Sequence, residues 1–213
     1  MSRLLVINSS GRHTRSVTRR LTRQFADAWL GANPQGELLE RDLTRQPPGV
    51  VNEAWIASAF AQPQSRTPQM QAALAESETL LAEIEASDAI VLGAPMYNFG
   101  LPAQLKAYFD QIIRVNRSFS FDPAAEVPYQ PLLKDKPVTV IVSVGDGDLL
   151  PGGAQFQLNF LEPHLLTMLG FIGLSNVEFI RVGYEEFQDQ RLKSAIASAE
   201  LTLVQRARLN AGY

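Results

Sequence analysis

The feature that most constrains the fold is the regular alternation of short apolar runs with longer segments of helical periodicity. Short apolar runs bounded by polar or glycine-rich turns are typical of strands buried on both faces of a parallel sheet. Such runs, read as strands one to five, occur in RLLVINSS, ELLERDL, AIVLGAP, PVTVIVSVGDGD and NVEFIRVGY.

The segments between the strands carry helical patterns. Val17, Leu21, Phe25 and Trp29 recur at spacings of four and predict a helix from Ser16 with one apolar face. A second helix is predicted where Thr67 and Pro68 provide a cap and a first-turn proline. The other predicted helices cover Leu101 to Ile113, about Leu158 to Leu169, and Glu185 to Arg208, with a short one around Trp55 to Phe60.

Strands that alternate with helices predict an α/β fold in three layers, with right-handed crossovers. Five such strands favour a flavodoxin-like parallel sheet in the order 2-1-3-4-5 over the six-stranded dinucleotide fold. With 213 residues and 46% hydrophobic content, the chain has enough apolar material for one core. We therefore expect a single flavodoxin-like domain over residues 1–213.

Composition excludes several function classes. The formal charge of −3 argues against a general nucleic-acid binder, and a solvated helix face accounts for most arginines between Arg12 and Arg23. The absence of cysteine excludes disulfides, thiolate zinc sites and cysteine nucleophiles, and two histidines leave little room for a metal site. No apolar run approaches the roughly 20 residues of a membrane span, so no membrane contact and a cytoplasmic location are expected.

The predicted topology directs attention to the loops after the first, third and fourth strands. In open α/β sheets, ligands bind beyond the carboxyl ends of the strands, where the strand order reverses. The first loop, NSSGRHTRSVT, offers the hydroxyls of Ser10, Ser16 and Thr18 next to a helix N-terminus, which favours a phosphomonoester. It lacks the GK[ST] of a Walker motif and the G-x-G-x-x-G of dinucleotide sites. The alternative is that these hydroxyls only cap the helix.

The loops after the third and fourth strands offer flat and flexible surfaces. In PMYNFG, the side chains of Met96, Tyr97, Asn98 and Phe99 can line a planar heterocycle, whereas the alternative is that the aromatic rings pack beneath the following helix.

In SVGDGD, Ser143 and Gly145 allow the backbone to approach such a ring closely. A phosphate at one end and a ring at the other predict FMN.

Four segments, LLVINSS, SVTRRL, APMYNFGLPAQLKAYFD and LGFIG, resemble the FMN-dependent NADH-azoreductases, which are flavodoxin-like quinone reductases. The similarity runs from Arg3 to about Tyr184, and APMYNF is its most specific part. The resemblance implies a homodimer with FMN sites at the subunit boundary, which reduces quinones and azo dyes in two-electron steps.

The resemblance also implies roles for individual residues. The phosphate and ribityl end of FMN would be bound by Ser10, Ser16, Thr18 and the backbone of Val17. The ring would contact Met96, Tyr97, Asn98 and Phe99, and its pyrimidine edge would lie against Ser143 and Gly145. Phe121 and Phe171 match positions that are aromatic in the substrate pocket of the family. For Phe171 the alternative is that it packs in the core. The chain departs from relatives where SVT replaces SQS and SVGDGD replaces SRGG. The second change leads to the hypothesis that Asp146 lies near the flavin and tunes its potential or substrate preference.

The implied mechanism needs no catalytic side chain, because tightly but non-covalently bound FMN carries the chemistry. NADH or NADPH passes hydride to flavin N5 and leaves, and a small aromatic quinone or azo compound then replaces it. His164 is interpreted as an ordinary helix residue.

Two alternatives remain. An FMN-binding electron carrier or redox sensor would not turn over pyridine nucleotide, and carriers of this kind tend to be smaller and more acidic. A hydrolase on the same fold is disfavoured because the sequence has no nucleophile elbow.

Overall fold

The computed structural model describes residues 2–212. In chain order its elements are β1 (Arg3–Asn8), α1 (Val17–Ala32), β2 (Glu37–Asp42), α2 (Glu53–Phe60), α3 (Pro68–Ala86), β3 (Ala89–Pro95), α4 (Ala103–Ile112), β4 (Phe119–Phe121), β5 (Tyr129–Pro131), β6 (Val138–Ser143), α5 (Leu161–Phe171), β7 (Val177–Val182) and α6 (Gln190–Ala211).

The central sheet has five parallel strands in the order β2-β1-β3-β6-β7. Counted along the sheet's own strands, this is the predicted order 2-1-3-4-5, so the predicted fold class is confirmed. Every residue of β3 and β6 is buried, while the edge strand β2 has none. The continuous apolar runs therefore form the middle of the sheet, where helices cover both faces.

Successive side chains of β1 point to opposite faces and contribute to two separate cores. Leu5 and Ile7 belong to the core beneath α3, α4 and α5, whereas Leu4 and Val6 belong to the core beneath α1 and α6. This division produces the predicted three layers.

Three local features differ from the expectations. Phe156–Leu158 forms a separate 3₁₀ turn, so α5 begins at Leu161, where the Asn159 side chain accepts a hydrogen bond from Glu162 N. The last helix begins at Gln190 rather than Glu185, because Asp189 caps it by accepting from Arg191 N. The hairpin β4–β5 was not predicted, since three-residue strands are too short to show periodicity.

An ion pair fixes the start of α1 to the end of β2. Arg19 Nη1 and Nη2 lie 2.7 and 2.8 Å from the two Asp42 carboxylate oxygens, and both side chains are mostly buried. Arg19 Nε and Nη2 also donate to the backbone oxygen of Ser10, at 3.0 and 2.8 Å. Hydrogen bonds from Arg19 hold the pKa of the Asp42 carboxyl well below its usual range.

We expect Asp42→Asn to lower the free energy of unfolding by about 1–3 kcal/mol at pH 7, because Arg19 loses its charged partner. The folded pKa of Asp42 is lower than its unfolded value near 3.9, so the contribution is complete above about pH 5 and is lost on further acidification. In urea denaturation between pH 7 and 3, the free energies of unfolding of the parent and the variant should become more similar as the pH falls. Asp27→Asn, at an exposed site on α1, is the control. A difference in unfolding free energy that stays constant with pH would contradict this account of the Arg19–Asp42 ion pair.

Candidate functional site

A cavity of about 1100 Å³ opens at the carboxyl ends of β1, β3 and β6. It is large enough for a mononucleotide, since small-molecule sites commonly enclose about 300–1,000 Å³. Eight of the ten residues predicted to contact FMN line it: Ser10, Ser16 and Val17 from the first loop, Met96, Tyr97 and Asn98 from the second, and Ser143 and Gly145 from the third.

The other two predicted contacts, Thr18 and Phe99, lie outside the lining. Thr18 is fully buried, with its hydroxyl 3.2 Å from Ser16 Oγ, and Phe99 is half exposed. The Thr18 side chain therefore does not reach the cavity.

The two predicted substrate residues also lie away from this cavity. Phe171 packs against Phe119 and Tyr129, with ring centroids 4.9 and 5.7 Å away. Phe121 stacks on Tyr129 at 5.0 Å and lines a separate hollow with Phe60. Both rings thus belong to the aromatic cluster of the β4–β5 hairpin.

The hydroxyls of the first loop are engaged within the protein. Ser16 Oγ accepts from Arg19 N at 3.2 Å and so caps α1, while Ser10 Oγ accepts from Arg12 N at 3.3 Å. The helix-capping alternative is therefore correct for the Ser16 side chain. The N–H groups of Val17 and Thr18, by contrast, have no acceptor within residues 2–212. These two backbone donors, rather than the hydroxyls, make the helix start a candidate anion site.

The loop after β3 is a tight turn in an unusual conformation. Tyr97 and Gly100 exchange two backbone hydrogen bonds of 3.1 Å, and the residues between them, Asn98 and Phe99, have φ of 48° and 69°. Turns with two positive φ values favour asparagine and glycine, and a left-handed phenylalanine costs about 1–2 kcal/mol. Phe160 N donates to Phe99 O at 3.0 Å and helps to hold the turn. Strain of this kind is concentrated at functional sites.

Tyr97 connects the turn to the first loop. Its hydroxyl oxygen accepts from Gly11 N at 3.1 Å, while its own proton has no acceptor in the described part of the chain. One side chain thus fixes the spacing between the anion site and the flat apolar surface of Met96.

In the loop after β6, the backbone lies close to a neighbouring side chain, and one buried hydroxyl has no partner among the described residues. Ser143 is buried, and its hydroxyl is without a partner among the described residues. A Cβ at Gly145 would lie 2.6 Å from Glu186 Oε1, so the Glu186 carboxylate rests directly on this glycine. Asp146 is not part of the cavity lining, because its carboxylate accepts from Asp148 N and caps a 3₁₀ turn.

A fourth loop, after β7, was missed by the sequence analysis. Glu185, Glu186 and Gln188 line the cavity, and Glu185 forms an ion pair with Arg12 of the first loop. The segment was assigned to the last helix, although it follows a strand whose carboxyl end lies at the same edge of the sheet. That position alone was sufficient to include the loop after β7 among the predicted ligand-binding loops.

The cavity fits FMN on its own features. Unused N–H donors lie at one end, and hydroxyl groups, an amide and flat side chains lie at the other. Within residues 2–212 no three His, Cys, Asp or Glu side chains gather as metal ligands. None of the helices described here combines the length and apolarity needed to cross a membrane.

Comparisons with known proteins identify the relatives of this chain. The chain is 52% identical over 200 residues to an FMN-dependent NADH:quinone oxidoreductase of Opitutus terrae, covering 94% of both chains. It is 39% identical to FMN-dependent NAD(P)H:quinone oxidoreductase 1 of Pseudomonas aeruginosa, covering 98% of this chain and 99% of that one.

The fold has a solved counterpart in an azoreductase from Bacillus anthracis, with a TM-score of 0.87 and 21% identity over 98% of this chain and all of the other. Residues 2–203 match the family described as having a flavodoxin-like fold. The chain belongs to this flavodoxin-like family, together with the FMN-dependent NADH:quinone oxidoreductases.

Proposed function

We propose that this protein is an FMN-dependent oxidoreductase that uses NADH or NADPH to reduce quinones and aromatic azo compounds. The observation that carries the proposal is the single cavity in which a helix start with free N–H groups meets a flat, partly apolar wall. The names of the curated relatives support the cofactor, the donor and the quinone acceptor.

The residues at each end of the cavity have different tasks. Val17 N and Thr18 N would donate to the phosphate of FMN, with Ser10 and Ser16 shaping the loop around it. The other end of the cavity would hold the ring through Met96, Tyr97, Asn98, Ser143 and Gly145, and Phe99 would flank it from the turn.

Bound FMN would supply the two-electron redox chemistry. The side chains of the cavity bind and orient, and no residue is assigned as a general acid or base. Donor and acceptor would occupy the open side in turn, as a ping-pong cycle requires.

The competing proposal is an electron carrier or redox sensor that binds FMN but does not turn over pyridine nucleotide. The discriminating experiment uses the purified chain after incubation with FMN. We expect flavin absorption to remain with the protein after desalting, and steady NADH or NADPH oxidation with menadione or an azo dye. Bound flavin without nucleotide oxidation would favour the carrier, and no bound flavin would contradict both functions.

The backbone donor of Val17 can be removed with little change to the fold. Val17 is the first residue of α1, where proline is favoured, and Ser16 already has φ −80° and ψ 121°, which a following proline allows. We expect Val17→Pro to raise the Kd of FMN about tenfold to hundredfold, as loss of a hydrogen bond to a charged group predicts. Val17→Ala, which keeps the N–H, is the matched control, and far-ultraviolet circular dichroism checks the helix. Equal affinities in the two variants would show that this N–H does not hold the phosphate.

We further propose that residues 1–213 act as one flavodoxin-like unit, in a cytoplasmic homodimer with two FMN sites at the subunit boundary. Large exposed apolar side chains occur on both α2 and the β4–β5 hairpin, including Ile56, Phe60, Phe121 and Tyr129. Phe121 does not line the cavity of its own chain, so a substrate role for it requires a second subunit. Phe171 would support that role by packing through Tyr129.

We expect sedimentation velocity to give twice the chain mass, and Phe60→Asp to weaken dimerisation at least tenfold by burying a carboxylate. Phe60 is 71% exposed. Leu201→Asp is the control, because Leu201 is 73% exposed but lies on α6, on the other side of the sheet. A monomeric parent, or equal effects of both variants, would contradict this interface.

A further inference from the structure

Four arginines line the cavity, and three of them are already paired with carboxylates. The pairs are Arg12 with Glu185, Arg19 with Asp42 at 2.7 Å, and Arg20 with Glu200 at 2.7 Å. The fourth, Arg15, has no carboxylate within 4.0 Å in the part of the chain that the structure describes. Its positive charge is therefore the uncompensated one among these guanidinium groups.

Arg15 occupies the end of the cavity where the free N–H groups lie. It directly precedes Ser16, the cap of α1, and so stands next to the donors of Val17 and Thr18. The Glu186 carboxylate, which rests on Gly145, is likewise without an ion-pair partner among the described residues. The uncompensated charges thus lie on different loops: Arg15 is on the first loop, whereas Glu186 is on the loop after β7 and rests against the loop after β6.

We propose that Arg15 neutralises the terminal phosphate of the bound flavin mononucleotide and makes the site selective for FMN over riboflavin. This inference rests on the proposed function and extends it to one side chain. A phosphomonoester carries about −1.5 to −2 charges near pH 7, whereas a helix N-terminus offers only about half a positive charge. The paired arginines are already balanced, so Arg15 supplies the remaining charge, and Glu186 disfavours the reversed orientation.

The experiment compares FMN and riboflavin binding by quenching of flavin fluorescence in the parent and in Arg15→Gln. We expect the Kd of FMN to rise about tenfold to hundredfold, and the Kd of riboflavin, which has no phosphate, to change less than about twofold. Raising the salt concentration should reduce the difference in FMN Kd between the parent and Arg15→Gln, because Arg15 is exposed and salt screens its charge. Arg15→Lys, which keeps the charge, should recover most of the affinity.

Arg23→Gln is the control for the loss of one positive charge, since Arg23 lies on the nearby helix α1 but is exposed and pairs with Glu40 outside the cavity. It should leave both affinities unchanged. If Arg15→Gln weakens FMN and riboflavin equally, or weakens neither, the role of Arg15 is overturned while the FMN site stands. If the parent binds neither flavin, the proposed function itself fails.

Discussion

The pairing of β1 with β3 is the constraint on which the site depends. The two strands run parallel in a register that sets Leu4 opposite Ala89 and Asn8 opposite Gly93, so β1 ends two residues before β3 at the same edge of the sheet. Ser9 continues the contact, donating to Gly93 O from its backbone N–H at 3.2 Å and from its hydroxyl at 2.7 Å. The next residues of each strand separate to opposite faces, and the cavity occupies the crevice between them.

Gly93 transmits this register to the helix that begins the anion site. A Cβ at this position would lie 3.1 Å from Thr22 Cγ2 and 3.3 Å from Thr18 Cβ, so the glycine lets α1 pack close to β3. Thr22 in turn donates to Asn8 Oδ1 at 2.8 Å, which fixes α1 against β1. The start of α1, with its free N–H groups, is therefore positioned by buried contacts in the first two turns of the helix, at Thr18 and Thr22.

The sequence predicted the features that repeat over many residues or follow from topology. Buried apolar runs gave the strands, and the order of the strands led to the loops after β1, β3 and β6. It could not show which polar groups of the first loop were already used, because the bond that Arg19 N donates to Ser16 Oγ and the burial of Thr18 depend on the folded structure. The folded structure also determines that Asp146 accepts from Asp148 N and that Arg19 pairs with Asp42.

The walls of the cavity are held mainly by groups that would not touch the ligand. Asp42 holds the first loop through Arg19 and the Ser10 carbonyl, and Gly11 N donates to the Tyr97 hydroxyl. Phe160 N holds the strained turn by donating to the Phe99 carbonyl. Each of these bonds joins two groups of the protein, so the fold itself orders the loops around the cavity. Such preorganisation increases affinity because little conformational entropy remains to be lost when the ligand arrives. It also explains why the free donors are backbone N–H groups: the nearby hydroxyls are used to hold the loop that presents them.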